Sequence, residues 1–214
     1  MKLTIFLILL NVSAFLLTSN GIFISEDYAQ EYGFSMKNFF EGKYYTLFTS
    51  IFLHADILHL IFNMAALFVL GWAVESKVSK VKYIITYFLG GIFGNLFMLI
   101  PFFGYSYETL AVGASAAISA LIGLGTFICP GKLVFFPSII PIPFMLAGAI
   151  YFLVTLSGLF EISQIAYPAH LGGMLVGGVL GLIWGESRIL RIILFILTCL
   201  AIIFIPSLII RVLK

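Results

Sequence analysis

Charge is the scarcest commodity in this sequence. Only 9% of its 214 residues are Asp, Glu, Lys or Arg, where a soluble globular domain carries about 25%. A water-facing globular surface is therefore excluded. The 11 basic and 9 acidic residues leave a net charge of +2, and the basic ones are scattered among loops, which argues against a nucleic-acid partner. Cysteine is almost missing. Cys129 and Cys199 fall in or beside apolar runs and give neither metal-ligand spacing nor a disulfide framework, so both read as small hydrophobes. Histidine is limited to three residues, and His54 and His59, five apart, have no carboxylate at usable spacing, which makes a poor metal site. No cofactor is expected. What remains is 62% apolar residues with 23 Phe, 20 Gly and a mean hydropathy of +1.19, a composition suited to a lipid bilayer.

The apolar residues fall into seven runs: Leu3 to Leu17, Ile57 to Val74, Tyr83 to Phe103, Val112 to Ile128, Ile139 to Leu156, Ala169 to Trp184 and Ile189 to Ile210. About 20 residues at 1.5 Å each cross the hydrocarbon. The first run lacks a convincing small-residue cleavage site and reads as a first helix rather than a signal peptide. Asn20 to Ile51 is the one long polar stretch; its charges and its Tyr and Phe residues suggest a loop resting at the interface. The expectation is an all-α polytopic membrane helix bundle, six helices plus one. With a cytoplasmic N-terminus, Lys2, Lys77, Lys80, Lys82, Lys132, Arg188 and Arg191 lie inside, against Lys37, Lys43, Arg211 and Lys214 outside, the bias of the positive-inside tendency. In that orientation Glu26, Asp27, Glu31, Glu41, Asp56, Glu108 and Glu161 are external. The second, fourth and sixth helices then begin at the external side, and the polar residues at their starts share one depth.

Those residues are His54, His59 and Asn63, then Ser115, then His170. Ser115 sits among Gly113, Ala114, Ala116, Ala117, Ser119, Ala120 and Gly123, small residues that let helix backbones approach. His170 opens a helix in which Gly173, Gly177, Gly181 and Gly185 recur every fourth residue. A glycine groove against an alanine-rich helix lets a serine hydroxyl and an imidazole reach about 3 Å, as general-base activation requires. His59 and Asn63, four apart, share one helical face, with His54 in the approach to that helix. An Asn amide, a His N–H and the Ser115 backbone N–H suit a developing oxyanion. The bland alternatives are a packing serine bonded to the carbonyl a turn back and a helix-packing network of polar side chains. No acid is placed to orient His170, so the simplest catalytic unit is a Ser-His dyad, its imidazole held by a ring such as Tyr167 or another aromatic.

These motifs resemble those of the rhomboid family of intramembrane serine proteases, of the archaeal or bacterial type. The second-helix signature matches His54, His59, Asn63 and Gly71-Trp72-Ala73-Val74-Glu75; the catalytic GxS element matches Gly113-Ala114-Ser115; and the sixth-helix AHxxGxxxG matches Ala169-His170 through Gly173 and Gly177. The likeness runs from Tyr44 to Gly185. It implies Ser115 as nucleophile, His170 as general base, His59 and Asn63 at the oxyanion, and His54 in the polar surround of a water-accessible site. It also implies a six-helix core over residues 1–186 with a cap from Ser157 to Pro168, and a seventh transmembrane helix and tail over 187–214. The substrates implied are transmembrane proteins within the lipid bilayer of the cell membrane, cut near the external face. Two departures stand out. The family's Trp-Arg pair in the first loop is Tyr44-Tyr45, which puts the anchoring of that loop in question. The usual glycine after the serine is Ala116, and Ala120 replaces another, so a methyl could crowd the oxyanion pocket.

Two other classes compete. A catalytically silent rhomboid-like protein that binds client transmembrane helices would keep the small-residue interfaces without needing Ser115 and His170 together. A transporter would show broken helices, inverted repeats or a mid-membrane charge, whereas Pro101, Pro137, Pro141, Pro143 and Pro206 stand near segment ends. The sequence leaves the oligomeric state open.

Overall fold

The computed structural model describes residues 2–100, 105–135, 140–159 and 165–212. The chain forms an all-α bundle whose long helices are apolar. α1 (Lys2–Thr18) leads into a folded connection of short helices, α2 (Glu26–Tyr32), α3 (Met36–Phe40) and α4 (Thr46–Thr49), followed by a 3-10 turn at Ser50–Phe52. α5 (Ile57–Ala66) continues through a π turn at Leu67–Gly71 into α6 (Trp72–Glu75). Next come α7 (Lys80–Phe97), α8 (Ser115–Ile128), a two-residue antiparallel pair β1 (Leu133–Val134) and β2 (Ile142–Pro143), then α9 (Phe144–Gly158), α10 (Tyr167–Trp184) and α11 (Arg188–Val212). Among the described residues, three segments, Ile57–Glu75, Tyr167–Trp184 and Arg188–Ile205, are long and apolar enough to cross a membrane.

The apolar runs became helices with shifted ends. The run from Tyr83 became an earlier helix because Ser79 caps it, its hydroxyl accepting from the Lys82 N–H at 3.3 Å. The run from Ile139 yields a helix only from Phe144, because Pro141 and Pro143 lie ahead of it in the turn and strand. The polar stretch is not a plain loop. Ser35 accepts from the Asn38 N–H (3.0 Å), and the Asn38 amide donates to the Gln30 and Gly33 carbonyls (both 2.9 Å), which ties α2 to α3. Such one- and two-turn helices fall below the length at which periodicity is legible. Phe103, Ile139 and Glu161, with Pro101, Pro137 and part of the expected cap between Ser157 and Pro168, lie outside the described residues.

α8 is the axis of the bundle: every residue from Ala116 to Phe127 is buried. Its Ile118, Leu121, Ile122 and Leu124 belong to the main apolar core, and its alanine, serine and glycine positions let neighbouring backbones approach. On α10, a Cβ at Gly173 would run into the Ala116 carbonyl and one at Gly177 into the Ala120 carbonyl. On α7 the arrangement is a reciprocal fit of glycine to methyl. A Cβ at Gly94 would stand 2.7 Å from the Ala116 methyl and 2.6 Å from the Ala169 carbonyl, and one at Gly90 would fall on the Ala120 methyl.

The end of the bundle opposite the N-termini of α5, α8 and α10 is closed by side chains that satisfy helix ends. Lys132 Nζ donates to the Ala73 carbonyl (2.9 Å) and the Ser76 hydroxyl (2.7 Å), Arg188 to the Ile183 carbonyl (2.9 Å), and Arg191 to the Phe127 carbonyl. Cations there complement the negative ends of α6, α10 and α8. Glu75 does the converse for α1, accepting from the Leu3 and Thr4 N–H groups (3.1 and 3.0 Å) and the Thr4 hydroxyl (2.6 Å).

Candidate active site

The site is assembled at the N-termini of three helices. Asp56 is the N-cap of α5, its carboxylate accepting from the His59 N–H at 2.8 Å, and the Ile57 N–H donates to the Ile22 carbonyl at 2.9 Å. These bonds fix the first turn, from which His59 and Asn63 project on one face. The Asn63 amide donates to the His59 carbonyl (2.9 Å), which spends one of its two N–H bonds. Both side chains converge on Gly113. That residue has φ +123°, and a Cβ on it would stand 2.8 Å from His59 Cε1 and from His59 Nε2. Glycine is thus required there for its backbone angle and for the space the imidazole takes.

The Gly113 N–H donates to the Ser50 carbonyl (2.9 Å), and the Ser50 hydroxyl accepts from the Asn95 amide (2.8 Å), which pins the entry to α8. Ser115 is the first residue of α8. The Ile118 N–H bonds the Ala114 carbonyl (2.9 Å) as the first turn closes, so the N–H groups of Ser115, Ala116 and Ala117 have no acceptor within the helix. His170 stands one turn into α10, which carries Pro168 in its first turn, where proline costs no hydrogen bond. His170 Nε2 and Ser115 Oγ are 2.8 Å apart, a hydrogen-bonding distance at which an imidazole can take a hydroxyl proton. The packing alternative for Ser115 describes Ser119 instead, whose hydroxyl donates to the Ser115 carbonyl a turn back (2.7 Å).

Rings flank the imidazole. Tyr151 of α9 lies near-parallel to it, with centroids 6.3 Å apart and planes at 26°, and Tyr167 approaches edge-on at 6.2 Å and 71°. His54 neighbours His59. It is fully buried and packs edge-on against His59 at 5.2 Å, a support behind the residues that face Gly113. Among the described residues, no group of three His, Cys, Asp or Glu side chains is gathered as a metal site would need.

The Ala116 side chain has a partner on α7. The residue is 4% exposed, and its methyl occupies the space left by Gly94. The first loop has its own anchor in place of the Trp-Arg pair. Glu31 accepts from Lys43 Nζ and from the Tyr45 hydroxyl, both at 2.5 Å, and Tyr44 packs edge-on against Phe39 at 5.2 Å. The Lys43 hydrogen bond, then that of Tyr45, holds the Glu31 carboxyl below its ordinary range, while the bond to Glu31 pushes the Lys43 and Tyr45 pKa values up. Sequence reasoning took Ser119 only as a small packing residue and missed its bonds, and it missed Tyr151, the Ser50–Asn95 link and the α7 glycines. Of these, only Gly90 and Gly94, four apart, left a readable small-residue stripe.

The comparisons with known proteins concern the same part of the chain. Residues 41–187 match the family described as Rhomboid domain. The chain is 30% identical over 169 residues to RHOMBOID-like protein 12, mitochondrial, of Arabidopsis thaliana, covering 72% of this chain and 49% of that protein. It is 31% identical over 154 residues to Rhomboid-like protease 1 of Toxoplasma gondii (69% and 49%), and 30% identical over 113 residues to the putative rhomboid protease YdcA of Bacillus subtilis (53% and 54%). The chain thus spans about half the length of these curated relatives. They come from a plant, a protozoan and a bacterium, so the likeness does not single out an archaeal or bacterial type. With more than half of its length matched to that one domain, and with helices that bury glycine against helix backbone throughout the matched region, the chain belongs to the rhomboid family.

Proposed function

We propose that this protein is an intramembrane serine endopeptidase that cleaves transmembrane proteins near the external membrane face by a Ser115–His170 dyad. The observation that carries this reading is the 2.8 Å approach of His170 Nε2 to Ser115 Oγ. His170 accepts the hydroxyl proton as Ser115 Oγ adds to the scissile carbonyl. The oxyanion forms within reach of the Asn63 amide, the His59 imidazole and the first N–H groups of α8. Collapse expels the amine with the proton from His170 and leaves an acyl-enzyme. A water molecule, deprotonated by His170, then releases the acid and restores the serine. A catalytically silent client-binding protein has no need of the Ser115–His170 bond.

Six helices form the core of this reading (α1, α5 with α6, α7, α8, α9 and α10), with α11 as a seventh span and the N-terminus cytoplasmic. α8 has 14 residues and measures about 21 Å, short of the roughly 30 Å hydrocarbon. With its C-terminal end at the basic inner boundary, its N-terminus and Ser115 lie below the external surface. An intact substrate helix hides its carbonyls in i to i−4 bonds, so the substrate must unwind there.

The test uses purified protein in proteoliposomes with a labelled single-span substrate. Wild type should cleave, while Ser115→Ala and His170→Ala should not. A fluorophosphonate probe should label Ser115 in wild type and fail in His170→Ala. Equal cleavage by all three proteins would defeat the proposal.

A further inference from the structure

Tyr151 belongs to α9, yet its contacts lead back to both members of the dyad. Its ring lies near-parallel to the His170 imidazole at 6.3 Å, inside the range over which aromatic rings attract by offset stacking. Its hydroxyl is 2.6 Å from Ser119 Oγ. Ser119 directs its own hydrogen to the Ser115 carbonyl (2.7 Å), so the phenol is the donor. Contacts therefore close a circuit: Ser115 Oγ to the His170 ring, that ring to Tyr151, the phenol to Ser119 Oγ, and Ser119 to the Ser115 carbonyl. Ser119 is fully buried and Tyr151 half-buried.

The circuit uses three helices unequally. α8 and α10 are held to each other by backbone approach at Gly173 and Gly177, which fixes the serine relative to the start of α10. That contact leaves the imidazole free to turn about its own side-chain bonds, and no carboxylate among the described residues bonds to it. Rotation of the imidazole plane is opposed by rings, and of the two rings only Tyr151 is also tied to α8. The position of α9 is thereby coupled to the hydrogen bond of the dyad.

We infer that Tyr151, through its bond to Ser119, is a positioning residue that holds His170 aimed at Ser115, so that a shift of α9 away from α8 disarms the base. This rests on the dyad reading given above. Tyr151→Phe keeps the ring and loses the tether; Ser119→Ala loses the same tether and leaves α9 unaltered. One neutral hydrogen bond corresponds to about a 5-fold effect, expected in kcat with KM unchanged. The rate of Ser115 labelling by a fluorophosphonate, which needs the activated hydroxyl but no transmembrane substrate, should fall in parallel. Tyr151→Leu, which also removes the ring, should lose about 30-fold. The losses in the double variant Tyr151→Phe/Ser119→Ala should be clearly less than additive, because both single variants remove the Tyr151–Ser119 bond, although Ser119→Ala also removes the bond to the Ser115 carbonyl and Tyr151→Phe one with Thr155.

An unchanged labelling rate, a change confined to KM, or additive losses in the double variant would overturn the inference. If Tyr151→Leu does not fold, Ser119→Ala carries the same readouts. If Ser115→Ala still cleaves, the dyad reading fails instead, and the two failures are distinguished.

Discussion

Gly90→Ala tests whether the fit of α7 to α8 is a matter of single methyl groups. The new Cβ would fall on the Ala120 methyl, while its next neighbours, Ala120 Cα at 3.5 Å and the Ala116 carbonyl at 3.6 Å, are at ordinary contact distance. One atom is therefore the whole obstacle. Overpacking of this kind costs about 1–3 kcal/mol, offset by up to about 1 kcal/mol because alanine is the better helix former, so a net loss of about 1–2 kcal/mol is expected. Ala120→Gly alone should lose about 1–2 kcal/mol, from helix propensity and a vacated methyl. In the double variant the propensities cancel and the methyl moves from α8 to α7 in the same space. It should return to within about 1 kcal/mol of wild type, a coupling of about 2–3 kcal/mol. Gly177→Ala is the control. Its Cβ would meet the backbone of Ala120, which Ala120→Gly leaves in place, so no rescue is expected. Equilibrium unfolding in mixed micelles measures all of these. A neutral Gly90→Ala, or a double variant no better than the single, would refute the reasoning.

Asn63→Ala should lower kcat about 100-fold with little change in KM if its amide serves the oxyanion; steady-state kinetics on a single-span substrate decide it. Asp56→Ala removes the acceptor of the His59 N–H and should cost about 1 kcal/mol of unfolding free energy, while Asp56→Asn, also an N-cap former, should restore most of it. Loss of stability in Asp56→Asn as large as in Asp56→Ala would contradict a capping role. The Glu31 anchor should depend on pH at both ends. A lowered carboxyl pKa adds stability that is present above the unfolded value near 4.5 and lost as pH falls through the folded value. The raised pKa values of Lys43 and Tyr45 give stability complete below about 10 and lost as pH rises through their folded values. Protection of residues 26–45 in hydrogen exchange, corrected for intrinsic rates, should therefore differ between wild type and Glu31→Gln at pH 7 and converge in acid. A difference undiminished at pH 3 would count against the anchor.

The helices were legible where hydropathy alone decides them, and their ends were not. Ser79 and Pro143 set the true starts of α7 and α9, through a cap and a missing donor that a hydropathy window averages away. Ser115 and His170 could be named as a proposed dyad because histidine occurs three times in the sequence and the glycines after His170 give their helix a face. The fit of Ala116 was illegible in isolation. A methyl beside a nucleophile reads as an obstruction until Gly94, far off in the chain, is seen to receive it. Tyr151 was hidden for a related reason: in a sequence with 10 tyrosines, nothing local distinguishes the one that turns inward to a histidine on another helix.

The order of the elements carries a consequence for biogenesis. α8 has 14 residues, about 21 Å, too short to cross the hydrocarbon alone, and it is buried from Ala116 to Phe127, so its lasting neighbours are other helices rather than lipid. It becomes a stable part of the membrane only as neighbours close around it, and the neighbour that fits it by backbone contact, α10, is made much later. A nascent chain that has passed α8 holds Ser115 without His170, the imidazole that stands 2.8 Å from it in the folded chain. The Ser115–His170 contact forms only when α10 docks, so the proposed dyad does not exist in a half-made chain.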